Sequence, residues 1–177
     1  MSAPGTSGGR ARSAILIPVP EAEDLVGRFR LEHDPVAGAG VPAHITLIVP
    51  WLPVAEIDDD SLAELDQQLA STSAFGYSLA SVQWFGRHVL WLAPEPAEPF
   101  IQLTWRLAEH FSTPPWDDEF DEVVPHLTVG HASDGDELGP VGAALGSKLP
   151  LECTAKEIWV MVGDGTRWYV RHQVPLS

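Results

Sequence analysis

Residues 43–51 read AHITLIVPW, and residues 124–131 read VPHLTVGH. Each is a short apolar run of the kind that forms a buried strand. Side chains alternate across a strand, so His44 and Thr46 share one face, as do His126 and Thr128, while Ile45 and Leu127 turn to the core. Two such pairs can bring two imidazoles and two hydroxyls to one cleft, a set suited to a phosphodiester and needing no metal. One His-x-Thr within a strand is unremarkable, because Thr is a good strand former. Its recurrence after a Pro-containing lead-in carries the weight.

Working outward, the pattern around the two motifs repeats. Ala14 to Val19 is an apolar strand, and Pro20 and Glu21 open a helix with Ala22, Leu25 and Phe29 on one face, which ends before Pro35. A Gly- and Ala-rich loop over 35–42 leads into the first motif. A helix follows over about 58–70, with Leu62, Leu65 and Leu69 at helical spacing and Ser61 with Glu64 as a capping box. Strands over 75–85 and 88–93 meet at Gly86-Arg87 as a hairpin. In the second half a helix begins at Pro99, with Phe100, Leu103, Leu107 and Phe111 on one stripe, and the His126 strand comes next. A helix over 136–148 and strands over 151–162 and 167–174, turning at Gly163-Asp164-Gly165, complete the order. The expected fold is α+β and bilobal: two pseudo-symmetric antiparallel sheets flanked by helices, with both motifs at a central groove. Residues 1–12 read as a flexible tail and 13–177 as one domain, its lobes falling roughly at 13–95 and 96–177.

Composition narrows the partners. The chain has 177 residues, seven Trp and six Phe, enough for a packed core, and a formal charge of −15 from 10 basic and 25 acidic residues. Such a surface repels a polyanion, whereas a ligand with one phosphate needs only a local pocket, to which Arg87, Arg167 and Arg171 are candidate contributors. Long nucleic acid is therefore disfavoured, and a small nucleotide or an RNA end is the expected partner. The acidic runs at 58–60 and 117–119 read as solvated caps and loops. No apolar run has the length of a membrane span, and the single Cys153 fits a reducing cytoplasm; the expectation is a cytoplasmic monomer with no cofactor.

The paired motifs, 82 residues apart at His44 and His126, together with the hairpin Trp84-Phe85-Gly86-Arg87-His88-Val89-Leu90-Trp91-Leu92, resemble the 2H phosphoesterase superfamily, which contains the LigT-like 2'-5' RNA ligases and RNA cyclic phosphodiesterases. The resemblance spans about Ser13 to Val174. It implies a bilobal fold with both His-x-Thr strands lining the groove, and metal-independent cleavage of nucleotide phosphodiesters, most often 2',3'-cyclic ends. Ring opening needs a base that activates water and an acid that protonates the departing ribose oxygen, roles that imidazole fills near neutral pH. His44 and His126 are then the acid–base pair, with Thr46 and Thr128 donating to the non-bridging oxygens. The family habit implies that the first-motif histidine protonates the leaving oxygen and the second activates water, while the near symmetry of the motifs leaves the assignment open.

The family often has a basic residue after the second motif, where this chain has Gly130-His131. His131 is a candidate phosphate ligand, although simple alternation from His126 puts it on the opposite face. Trp51 and Phe85 are candidate base-stacking residues, with core packing as the plainer reading. His33, His88, His110 and His172 have no partner pattern, and no metal-ligand spacing stands out. Two functions stay open: a cyclic phosphodiesterase with possible RNA ligase side activity, and a non-catalytic nucleotide-binding or sensing module using the same groove.

Overall fold

A computed structural model describes residues 10–115 and 122–177. The 1–9 part of the expected tail and the acidic run at 117–119 lie outside the described residues.

The chain begins with strand β1 (Arg12–Pro18), a single turn at Pro20–Ala22, helix α1 (Glu23–His33) and the helical turn α2 (Pro35–Gly38). Strand β2 (His44–Ile48) carries the first motif, and helix α3 (Asp59–Leu69) follows. Strands β3 (Phe75–Phe85) and β4 (Val89–Glu95) form the hairpin, and helix α4 (Glu98–Phe111) leads to β5 (Leu127–His131). Helix α5 (Gly139–Gly146) and strands β6 (Leu151–Ala155), β7 (Glu157–Gly163) and β8 (Trp168–Pro175) finish the fold.

The strands make two four-stranded antiparallel sheets, in the orders β2-β1-β7-β8 and β5-β4-β3-β6. The expected α+β class with two antiparallel sheets holds. Each sheet, however, draws two strands from either side of position 95, so the two halves of the chain interleave. The apolar run over 151–162, read as one strand, is two: it breaks at Lys156, where β6 pairs with β3 and β7 with β1 and β8. Helix packing crosses over as well, since α1 lies on β5 and α4 on β2.

One core joins both sheets through Ile15, Ile17, Ile45, Leu47, Leu90, Leu92, Leu127 and Val129, with Leu62, Leu65, Leu69, Phe100, Leu103 and Leu107 from the helices. Burying each such side chain contributes about 1.5–3 kcal/mol. Ala22, in the turn before α1, is buried as expected, but within the helix the buried residues are Val26 and Arg30, while Leu25 and Phe29 sit at the margin. Helix α3 is capped by Asp58 with Ser61, rather than by Ser61 with Glu64; the Asp58 carboxylate accepts from the Ser61 amide at 2.9 Å, and the Ser61 hydroxyl accepts from the Asp58 amide at 2.9 Å.

Candidate active site

β2 and β5 are the outer strands of their sheets, and they lie side by side. His44 opens β2, and His126 immediately precedes β5, so the two motifs meet at the seam. Both histidines and both threonines are half-buried.

The two rings are held alike. Nδ1 of His44 lies 2.7 Å from the carbonyl oxygen of Pro42, and Nδ1 of His126 lies 2.7 Å from that of Val124. A carbonyl only accepts, so each Nδ1 carries the hydrogen, and in the neutral ring Nε2 keeps its lone pair. Neither Nε2 and neither threonine hydroxyl has a hydrogen-bond partner among the described residues.

Burial depresses both imidazoles. For His44 the nearby Arg30 guanidinium adds to burial, the Pro42 carbonyl opposes, and a charge on His126 lowers it further, to about 3. Burial brings His126 down to about 4, with the Val124 carbonyl opposing and His131 lowering it further. Both rings are therefore neutral in the free protein at pH 7.

Each motif strand also carries a bulge just past its threonine. Leu16 pairs with Thr46 and Ile15 with Ile48, leaving Leu47 extra; Trp91 pairs with Thr128 and Leu90 with Gly130, leaving Val129 extra. A bulge resets the alternation and re-aims the side chains beyond it. Val89 and Trp91 share a face of β4, and His131 pairs with Val89, so His131 returns to the face of Thr128. The opposite-face expectation for His131 is thus corrected. Its ring is half-buried, with Nε2 enclosed and unpartnered; burial lowers its pKa and the Asp34 carboxylate raises it. Gly130 fits because a Cβ there would stand 2.6 Å from the His33 Cβ.

Phe85 and Trp91 flank His126. Their rings stack at 4.6 Å, and Phe85 meets the imidazole edge-on at 5.0 Å, Trp91 at 5.8 Å. Trp51 does not join them. It is 3% exposed and packs edge-on against Phe111 at 5.1 Å, so it fills the core and its stacking role is set aside. The structure thus gathers His44, Thr46, His126, Thr128, His131 and Phe85.

Sequence reasoning missed Trp91 and a buried ion pair. Arg30 is 2% exposed, bonds the Asp34 carboxylate at 3.1 Å and donates to the Val41 carbonyl at 3.1 Å. The available signal was Arg30 standing four residues after Val26 on the apolar stripe.

The profile of the 2'-5' RNA ligase superfamily matches residues 18–167. No curated protein sequence matches the chain. Among solved structures, the chain is similar to E. coli LigT complexed with NADP+ at 22% identity and a TM-score of 0.59, covering 97% of this chain and 99% of that one. E. coli LigT complexed with 3'-AMP gives 16% identity and a TM-score of 0.58, with 95% and 99% coverage. TT0787 of Thermus thermophilus gives 18% identity and a TM-score of 0.61, with 93% and 97% coverage. By the span of the profile match, and with a fold shared with LigT, the chain belongs to the 2'-5' RNA ligase superfamily of 2H phosphoesterases.

Proposed function

We propose that the protein is a metal-independent phosphodiesterase that opens the 2',3'-cyclic phosphate of a nucleotide or RNA end. The observation that carries this reading is the pair of matched imidazoles at the seam, each with Nδ1 fixed on a backbone carbonyl and Nε2 left for chemistry. One Nε2 takes a proton from water as it attacks phosphorus, and the other gives a proton to the departing ribose oxygen. The P–O bond to that oxygen breaks as the P–O bond to water forms. Thr46 and Thr128 donate to the non-bridging oxygens as charge builds on them, and His131 supplies a further donor on the same face. Phe85, backed by Trp91, offers a stacking surface beside His126 for a base.

The two lowered pKa values suit this sequence of events. The free site holds two neutral rings, and the arriving phosphate anion favours protonation of one, which becomes the acid. The charge of −15 favours a small nucleotide or RNA end over long nucleic acid. That E. coli LigT has been solved with 3'-AMP supports a ligand of this size. We place the protein in the cytoplasm as a monomer; among the described residues no helix is long and apolar enough to cross a membrane.

Incubation in EDTA with 2',3'-cyclic mononucleotides, a cyclic-phosphate-ended oligonucleotide and ADP-ribose cyclic phosphate tests the reading. Ring-opened monoester from any of them supports it, and saturable binding with no product in the whole panel replaces it with a nucleotide-binding module.

A further inference from the structure

The two histidines are alike in tautomer but not in support. Glu23 and Arg30 stand seven residues apart on α1, two turns along one face. The Glu23 carboxylate accepts from the Ala43 amide at 2.6 Å, and Arg30 donates to the Val41 carbonyl at 3.1 Å. These bonds bracket Pro42, whose own carbonyl holds His44 Nδ1 at 2.7 Å. Gly27, between them on α1, leaves room for the grip, since a Cβ there would come within 3.3 Å of Glu23 Oε2. Among the described residues no helix side chain bonds the corresponding lead-in to His126, residues 123–125.

We propose that Glu23 and Arg30 are positioning residues that clamp Val41–Ala43 from one face of α1 and so fix the His44 imidazole, with the buried Arg30 charge beside it. A buried ion pair adds little net stability, because desolvating two charges offsets their attraction. The Arg30–Asp34 pair is therefore better explained by what it orients. Asp34 serves the clamp too: one carboxylate oxygen takes Arg30 at 3.1 Å and the other caps α2 at the Val36 amide, 3.3 Å away. The charged and titratable groups around His44 are Arg30 and Glu23 from α1, Asp34 at the start of α2, and His126 from the β5 side. Of these, Arg30 opposes a proton on His44 most strongly after burial itself.

The clamp bears on catalysis only under the phosphodiesterase reading, so its test includes a measurement that needs no substrate. Ring titrations of the free protein by NMR are compared for wild type, Arg30→Lys and the charge-neutral pair Arg30→Met with Asp34→Asn, in which Asn still caps α2. In the neutral pair the His44 midpoint is expected to rise by about one pH unit, clearly more than that of His126 moves. Arg30→Lys keeps the charge and loses the fork that reaches both partners, so the His44 midpoint stays low. In turnover of a 2',3'-cyclic nucleotide, Arg30→Lys and Glu23→Ala lower kcat about tenfold or more with KM nearly unchanged, and Glu23→Gln, which can still accept from the Ala43 amide, recovers most of it.

An unmoved His44 midpoint in the neutral pair overturns the clamp, as does full kcat in Arg30→Lys and Glu23→Ala. Should the neutral pair fail to fold, the Arg30→Lys and Glu23→Ala kinetics decide alone. A shifted midpoint in a protein that turns over no substrate keeps the clamp and removes the phosphodiesterase reading.

Discussion

His44 opens a strand of one sheet and His126 stands just before a strand of the other, yet each fixes Nδ1 at 2.7 Å on the carbonyl of the residue two positions earlier. The same local device, used twice, leaves two Nε2 atoms as the reactive positions of one seam. His44→Ala and His126→Ala should each lower kcat by about 10²–10⁴-fold, the range for a positioned acid or base. Both rings are half-buried at the seam rather than packed in the core, so the melting temperature of each variant should stay near wild type at pH 7. Steady-state kinetics paired with thermal unfolding checks both halves of this expectation.

The lowered histidine pKa values predict how stability varies with pH. Folded, the rings titrate at about 3 and about 4, against an ordinary value of 6.5 in the unfolded chain. Below 6.5 the unfolded chain binds more protons than the folded one, so this contribution is complete above that pH and is lost as pH falls toward the folded values. Melting temperature measured from pH 7 down to pH 4 should fall more steeply for wild type than for a His44→Ala, His126→Ala double variant. Parallel curves would remove the two rings from the account of acid sensitivity.

The same depression acts on the rates. If one ring must carry a proton in the free enzyme, kcat/KM should decline as pH rises above about 4 and go on declining through neutrality, because that form becomes scarce above the folded pKa values. The alkaline limb of kcat should lie at higher pH than that of kcat/KM, since bound phosphate favours the proton. A pH–rate series with a cyclic mononucleotide compares the two limbs, and coincident limbs would contradict the idea that substrate charges the acid.

Thr46→Val and Thr128→Val each remove one hydroxyl donor without changing side-chain size. Loss of a donor to developing charge costs about 10²–10³-fold in kcat, so each valine should lower kcat far more than it alters KM. An effect confined to KM would make the hydroxyls binding groups only.

The bulge after Thr128 makes its own prediction. Gly130→Ala drives a methyl to within 2.6 Å of the His33 Cβ, and overpacking of this kind costs about 1–3 kcal/mol. Denaturant unfolding should show that loss. Because the strain falls beside His131, turnover should fall as well.

Much of the fold was legible because its signals are local. The hairpin of β3 and β4 arises from alternating side chains around Gly86, which takes a φ of +58° that L side chains rarely adopt. The leucines of α3 lie at helical spacing, and Leu62, Leu65 and Leu69 are buried as that spacing requires. The features that escaped depend on partners far away in sequence. Nothing in the apolar run from Leu151 onward marks Lys156 as the point where the chain leaves one sheet for the other. The extra residue Val129 exists only relative to β4, so the face of His131 could not be counted from His126. Trp51 and Phe85 are both aromatic candidates for stacking, and only the tertiary fold sends one to the core and the other to His126. The burial of Arg30 likewise follows from how α1 packs, not from its immediate neighbours in sequence.

The most direct test of the two-histidine claim is single-turnover opening of a 2',3'-cyclic nucleotide in EDTA by wild type, His44→Ala, His126→Ala and the double variant. If the rings act as one acid–base unit, each single substitution removes nearly all of the rate and the double removes little more. Wild-type rates in both single variants would contradict the account.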